Sequence, residues 1–160
     1  MITAVDTSVL LDVFGADPKF GPPSAAALRT CLSEGRIVAC EVVWAETGAS
    51  FPTTAGADAA LRGLRVDFSA LDAPTALAAG KTWRAYRKAG GTRERVIADF
   101  LIGAHAFARA DRLLTRDRGF YRRYFKELQI VDPAQEPVPA DDDLAELERA
   151  TRALVEEEPR

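Results

Sequence analysis

Short apolar runs that alternate with helix-length segments are the feature that most restricts how this chain can fold. Five runs are long enough for one buried strand each, at residues 2–5, 36–40, 64–68, 112–115 and 128–131. Helix formers or helically spaced apolar residues fill the longer gaps, as at 54–63, 74–89 and 92–110. Strands joined through helices run parallel, because each crossover returns the chain to the same edge of the sheet. The sequence therefore predicts an α/β fold, with a mainly parallel sheet of four to five strands and helices on both faces.

The length of 160 residues allows one compact core and is less than two ordinary domains need. We expect one domain over residues 1–133, followed by an acidic, Pro-rich linker at 134–143 and an amphipathic C-terminal helix. The helix is indicated by one apolar stripe, formed by Leu144, Leu147, Ala150 or Thr151, and Leu154. No apolar run approaches the roughly 20 residues that span a bilayer, and the N-terminus lacks a signal-peptide pattern, so a cytoplasmic protein is expected, without a membrane partner.

Charge is distributed unevenly along the chain, although the net charge is only -3. Residues 81–126 carry 13 basic and 4 acidic side chains, whereas residues 134–160 carry 3 basic and 9 acidic ones. The basic stretch fits a solvated helix face or a phosphate-binding surface, and its composition leaves both open. The acidic tail is expected either to screen this stretch or to supply part of a protein contact.

Four acidic residues stand where a parallel sheet would gather them. Asp6 directly follows the first strand, and Asp117 lies two residues past Thr115, the end of the fourth strand. Ligands of open parallel sheets bind outside the carboxyl ends of the strands, near the point where strand order reverses. Glu46 follows the second strand within two helical turns, and Asp99 lies two turns into the long helix before the fourth strand. We expect all four acids to point into one crevice.

Carboxylates held together repel one another, and they raise one another's pKa values unless a cation compensates. A hard ion that binds oxygen, Mg²⁺ or alternatively Mn²⁺, is the natural occupant of such a site. One or two of these ions can activate water, orient a scissile phosphate and neutralise the charge that develops during phosphodiester hydrolysis. The pattern therefore indicates metal-dependent cleavage of a nucleic acid.

Each of these acids has a plainer explanation when it is taken alone. Asp6 is as well placed to form a turn or to cap a helix, and the hydroxyl of Thr7 or Ser8 can also cap the helix that follows. Asp99 is the most informative, because apolar residues surround it and a lone carboxylate there needs a partner. On the same helical face, small Gly103 is expected to leave room for a nucleotide, as is Ala106 three residues later.

Four segments resemble the PIN-domain family, and more closely the VapC-type toxins of bacterial toxin–antitoxin pairs. They are VDTSVLL at 5–11, VVWAE at 42–46, IADFLIGAHA at 97–106 and LLTRDRGFY at 113–121. The resemblance runs in order over roughly residues 1–133. The family's acidic positions fall on Asp6, Glu46, Asp99 and Asp117, and its supporting hydroxyl positions fall on Ser8 and Thr115.

The resemblance implies an α/β/α sandwich and Mg²⁺-dependent endoribonuclease activity against cellular RNA. It also implies a homodimer that a small cognate antitoxin protein inhibits. We expect Asp6, Asp99 and Asp117 to bind the metal directly, and Glu46 to bind it directly or through another ligand. The tail beyond Pro133 departs from the family's usual short ending, which leaves open whether the dimer and antitoxin surfaces are the usual ones.

Basic and imidazole side chains near the acids invite further roles. Arg116 and Arg118 flank Asp117 and are expected to bind RNA phosphates, with solvated turn residues as the alternative. His105 is the chain's one histidine and lies six residues from Asp99, which turns it away from the acidic face of the helix. A structural or surface role for His105 is therefore expected rather than proton transfer.

Two rival functions remain for the acidic motif. The Asp-Thr-Ser start also resembles the nucleophile loop of phosphatases that form an aspartyl phosphate, but those enzymes place a second Asp where this chain has Ser8. A catalytically silent PIN-like module, which binds RNA or protein without turnover, is the other alternative. The complete set of four acids favours the nuclease.

Overall fold

The computed structural model of the protein describes residues 1–91 and 97–135, with only the backbone at Arg118 and Gln135. The strands are β1 Ile2–Val5, β2 Arg36–Ala39, β3 Val66–Phe68, β4 Arg112–Leu114 and β5 Gln129–Val131. The helices are α1 Thr7–Phe14, α2 Gly21–Glu34, α3 Glu41–Gly48, α4 Thr54–Gly63, α5 Ala73–Lys88, α6 Ile97–Arg109 and α7 Arg118–Tyr124, and a 3₁₀ helix follows at Pro133–Gln135. Within the described ranges, no helix is long and apolar enough to span a membrane.

The five strands form one parallel sheet in the order β3-β2-β1-β4-β5. Helices flank this sheet, and the predicted α/β/α sandwich is confirmed. The chain moves outward from β1 to β3 and then returns to place β4 on the other side of β1. Strand order therefore reverses between β1 and β4, where Val5 lies beside Leu114. A crevice at such a point is where open α/β sheets bind ligands.

The centre of the sheet is buried because its strands are almost wholly apolar. Val5, Leu113 and Leu114 are at most 1% exposed, and they pack with Phe100 of α6 and Tyr121 of α7 in one core. Helices on both sides of a parallel sheet leave its middle strands no solvent face, which accounts for runs of apolar residues in place of alternation.

Several boundaries differ from those that the sequence predicts. Strand β3 begins at Val66 rather than at residue 64, because Leu64 is the residue that ends α4 as its C-cap. Helix α7 was not predicted; it begins where the Asp117 carboxylate accepts the Phe120 N–H. The predicted start of the long helix at 92–96 and the predicted tail helix lie outside the described residues.

The expectation that Gly103 leaves room for a nucleotide is wrong. A Cβ atom at this position would lie 2.3 Å from Cε2 of the Phe125 ring, so the ring already fills the space. Ala106, on the same face, is fully buried. The small residues of α6 are therefore needed for close packing in the core.

Replacing Gly103 with Ala tests this packing role. We expect Gly103→Ala to lower the free energy of unfolding by about 1–3 kcal/mol, because the added methyl group overlaps the Phe125 ring. Urea denaturation measures the change. The matched control is Gly80→Ala in α5, where a Cβ meets nothing within 4 Å and a gain of about 0.5–1 kcal/mol is expected. Equal stability of the Gly103→Ala and unchanged proteins would contradict the assignment.

Candidate active site

Asp6 lies at the end of β1, in the position that caps α1, and is 8% exposed. Its backbone N–H donates to the Leu114 carbonyl at 3.0 Å, which ties the end of β1 to the end of β4. The side chain makes no capping hydrogen bond, so the plainer explanation of Asp6 as a helix cap does not hold. Its Oδ2 atom accepts hydrogen bonds from Ser8 Oγ at 2.9 Å and from Thr115 Oγ1 at 2.7 Å.

The Asp6 carboxylate is electrostatically disfavoured in its ionised form. Burial raises the pKa of Asp6, and the nearby charge of Asp99 raises it further. Hydrogen bonds from Thr115 and Ser8 lower the pKa in part, yet it stays above its ordinary value. The fold therefore brings Asp6 and Asp99 close enough to repel each other.

Thr115 joins Asp6 to Asp117. The Thr115 side chain is fully buried at the end of β4, and its Oγ1 atom donates to Asp6 while accepting the backbone N–H of Asp117 at 3.0 Å. The Asp117 carboxylate accepts the Phe120 N–H at 3.1 Å and so begins α7. One hydroxyl thus connects the buried carboxylate with the backbone of the next acidic residue.

Glu46 is connected to the site through Thr7. Glu46 is exposed on α3, and its Oε2 atom accepts a hydrogen bond from Thr7 Oγ1 at 2.5 Å. The expectation that the hydroxyl of Thr7 or Ser8 caps α1 is wrong, because α1 begins at Thr7 and the capping position before it is occupied by Asp6. Each hydroxyl instead donates to an acid. The sequence analysis gave Thr7 no part in the site, although three polar residues directly after a buried strand were a signal for one.

The donor atoms at this edge of the sheet suit a hard cation. Carboxylate and hydroxyl oxygens converge here, and Mg²⁺ prefers oxygen ligands. Among the residues that the structure describes, no three acidic, His or Cys side chains lie close enough to hold a metal ion. Mg²⁺ commonly uses one or two carboxylates and completes its shell with water and substrate phosphate. The pair Asp6 and Asp99 fits that pattern. Asp117 is linked to Asp6 through Thr115, and Glu46 is hydrogen-bonded to Thr7 beside Asp6, so these two acids flank the pair and are not part of one cluster of four.

Arg116 is engaged within the protein. Its Nε atom lies 2.8 Å from Oδ2 of Asp12, and its guanidinium group lies 4.3 Å from the centre of the Phe20 ring. Asp12 is 4% exposed and also accepts a hydrogen bond from Ser24 Oγ at 2.7 Å. Burial raises the pKa of Asp12, and the contacts with Ser24 and Arg116 offset part of that rise. The guanidinium expected to bind RNA thus holds the loop before Asp117 against α1, through an acid that the sequence analysis missed.

The one histidine is buried, so of the structural and surface roles predicted for it the structure supports the structural one. His105 is 1% exposed, and burial lowers its pKa, because the core disfavours a charged imidazole. The side chain therefore belongs to the core of α6.

A family model for the PIN domain matches residues 3–126. The chain belongs to the PIN domain family. The match extends from β1 to two residues past the end of α7, so it includes all four acidic positions of the candidate site. Among curated proteins, none matches the chain by sequence.

Solved structures share the PIN fold at low sequence identity. A chain of VapBC2 from Rickettsia felis, bound to a DNA fragment from its promoter, has a TM-score of 0.65 and 18% identity and covers 82% of this chain and 98% of its own length. VapBC-1 from nontypeable Haemophilus influenzae has a TM-score of 0.63 and 21% identity, and the match covers 84% of this chain and 100% of the VapBC-1 chain. FitAcB from Neisseria gonorrhoeae has a TM-score of 0.59 and 20% identity, and the match covers 84% of this chain and 99% of the FitAcB chain.

The raised pKa of Asp6 predicts how stability depends on pH. A carboxyl whose pKa is higher in the folded than in the unfolded state contributes stability below the unfolded pKa, and this contribution is lost as pH rises through the folded pKa. We expect Asp6→Asn to raise the melting temperature in EDTA, by about 2–4 °C for each kcal/mol gained, and to do so more at pH 7 than at pH 4. Thermal unfolding measures the difference. Asp67→Asn, at an exposed acid of β3, is the control, and an advantage of Asp6→Asn that did not grow with pH would contradict the prediction.

The ion pair between Arg116 and Asp12 predicts coupled stability losses. We expect Arg116→Ala to cost about 1–2 kcal/mol, less than a fully buried pair, because the Arg116 side chain is 37% exposed. In an Asp12→Asn background the same substitution should cost less than about 0.5 kcal/mol. A double-mutant cycle in urea measures the coupling, with Arg122→Ala on α7 as an exposed control. Equal costs in both backgrounds would show that the pair does not stabilise the loop.

Proposed function

We propose that this PIN domain is a Mg²⁺-dependent endoribonuclease, with Mn²⁺ as an alternative cofactor, and the toxin component of a toxin–antitoxin pair. The observation that carries the proposal is the buried Asp6 carboxylate, which lies where strand order reverses and whose pKa is raised by burial and by the charge of Asp99. Among the described residues, Asp6 has hydroxyl partners and no cationic one. A buried acid beside a second acid is a costly arrangement that a bound cation would stabilise.

The chain's own residues would do most of the positioning. Asp6 and Asp99 would hold the cation, while Ser8 and Thr115 keep Oδ2 of Asp6 fixed through their hydrogen bonds. The cation, when bound, supplies charge neutralisation and lowers the pKa of water. Asp117 would add a further carboxylate at the carboxyl edge of the sheet, and Glu46 would lie on the side from which the substrate approaches.

RNA binding is supported by the exposed cations next to this edge. Helix α7 starts directly after Asp117, and its Arg122 is exposed. Arg118 is the first residue of this helix. We propose Arg118 and Arg122 as phosphate contacts, with Arg116 contributing less because of its ion pair with Asp12.

The proposed partners follow from the likeness to toxin–antitoxin complexes. PIN domains of VapC toxins are generally nucleases and generally use a divalent metal. The similar solved structures are of VapBC and FitAcB proteins. On this basis we propose a cognate small antitoxin as inhibitor, a homodimer as the working form and the bacterial cytoplasm as the location.

An RNA cleavage assay tests the function. The purified protein should cut a pool of cellular RNA with Mg²⁺ or Mn²⁺ and stop cutting with EDTA. Asp99→Asn should lower the rate by at least about 100-fold, because it removes one of the two carboxylates that would hold the cation. Asp67→Asn is the matched control and should keep full activity.

A second measurement separates the mechanism from a silent module. Mg²⁺ at about 100 times its Kd should add roughly 2.7 kcal/mol to the free energy of unfolding, and this gain should disappear in Asp6→Asn. Cleavage that persists in EDTA would overturn the metal mechanism. Binding of RNA without cleavage under any divalent ion would identify a non-catalytic RNA-binding module instead.

A further inference from the structure

An apolar groove of about 780 Å³ lies between α5, α6 and the end of α7. Its lining includes Ala85 of α5, Ala104 and Phe107 of α6, and Tyr124. Phe107 is 52% exposed, although it is a large aromatic side chain. Apolar surface that is concave and rimmed by polar groups marks a site of interaction with another segment or molecule.

This groove is separate from the candidate active site. Its residues on α6 run from Ala104 to Ala108, about 8–14 Å along the helix axis from Asp99 at a rise of 1.5 Å per residue. Neither Asp6 nor Asp117 lines it. An occupant of the groove would therefore leave the acidic crevice accessible.

The rim of the groove is mainly cationic. Lys81, Arg123 and Lys126 line it and are exposed, and Glu127 is the acidic side chain among its lining residues. Within the described part of the chain, none of these three cations forms an ion pair. The groove thus suits an occupant with an apolar stripe and flanking acids, which is the usual pattern of a helix bound in a groove.

The chain itself contains a segment with this pattern. Residues 141–158 carry eight acidic and two basic side chains, and Leu144, Leu147 and Leu154 fall on one helical stripe. The segment is tethered to the described domain by residues 136–143, which can span about 26–29 Å when extended. The described chain ends at the 3₁₀ helix Pro133–Gln135, which packs against α2, so the tether must run from α2 to the groove. Where a short tether spans such a gap, the local concentration of its segment is in the millimolar range, which favours binding within the same chain.

We propose that residues 144–155 dock in the α5–α6–α7 groove of their own chain. The leucine stripe covers Phe107 and Tyr124, and the acids beside it face Lys81, Arg123 and Lys126. The proposal accounts for the exposed aromatic ring and for the rim cations that form no ion pair among the described residues. It does not depend on nuclease activity, so failure of one leaves the other standing.

Photo-crosslinking in the full-length protein tests the contact directly. Benzoylphenylalanine at position 107 should crosslink to a peptide within residues 144–155. The matched control is benzoylphenylalanine at Phe68 on β3, which is similarly exposed at 55% and should give no such product. Mixing ¹⁵N-labelled and unlabelled chains shows whether each product joins one chain or two. Crosslinks only between chains, or to other segments, would overturn the proposal.

Hydrogen exchange tests the charge complementarity. The double substitution Lys81→Glu with Lys126→Glu should make the amides of residues 144–155 exchange about fivefold faster, because docking is weakened. Arg84→Glu, on α5 but outside the groove, should have no effect. Adding Asp143→Lys and Glu148→Lys, which reverse acids beside the stripe, should restore slow exchange. Unchanged exchange in the tail would overturn the proposal, and a simultaneous loss of RNA affinity would assign the groove to RNA.

Discussion

Burial of the Asp6 carboxylate is the constraint around which the acidic edge of this protein is organised. An ionised carboxylate loses solvation when it is buried, and the two hydroxyls that bind it restore only part of that energy, since its pKa stays raised. Strand order determines where this happens, because β1 and β4 end side by side. The buried acid therefore lowers the local stability of the fold at a site that has no evident structural need for an acid. Functional sites commonly reduce the stability of a protein in this way.

The loop after β4 is held from two directions. Thr115 points inward and bonds to Asp6, whereas Arg116 reaches outward to Asp12 of α1. Between them they determine the backbone on which Asp117 stands, and the Asp117 carboxylate in turn begins α7. A change in either contact would therefore alter the positions of the acids at the carboxyl edge of the sheet and the start of α7.

The basic side chains of residues 81–126 have several different roles. Arg109 pairs with Asp72 at 2.6 Å, Arg112 pairs with Glu34, and Arg116 pairs with Asp12, so these charges are partly neutralised within the fold. Others, such as Arg122 on α7 and Lys81 on α5, are exposed in different surroundings. A local charge sum in the sequence does not distinguish a structural ion pair, a phosphate contact and the rim of a groove.

Sequence alone determined the fold class, because the alternation of apolar runs and helices leaves a parallel sheet as the arrangement that buries both faces of the strands. It also predicted the position of Asp6, since a residue directly after β1 must stand at the carboxyl edge of the sheet. The α7 helix escaped prediction because its start depends on Asp117 as a cap in a loop shaped by Thr115. Only the tertiary structure decided which residues far apart in the sequence contact one another. Gly103 packs against the Phe125 ring, Thr7 donates a hydrogen bond to Glu46, and Arg116 forms an ion pair with Asp12. Periodicity reports which face of an element is buried, and only the packed fold sets which partner lies opposite each side chain.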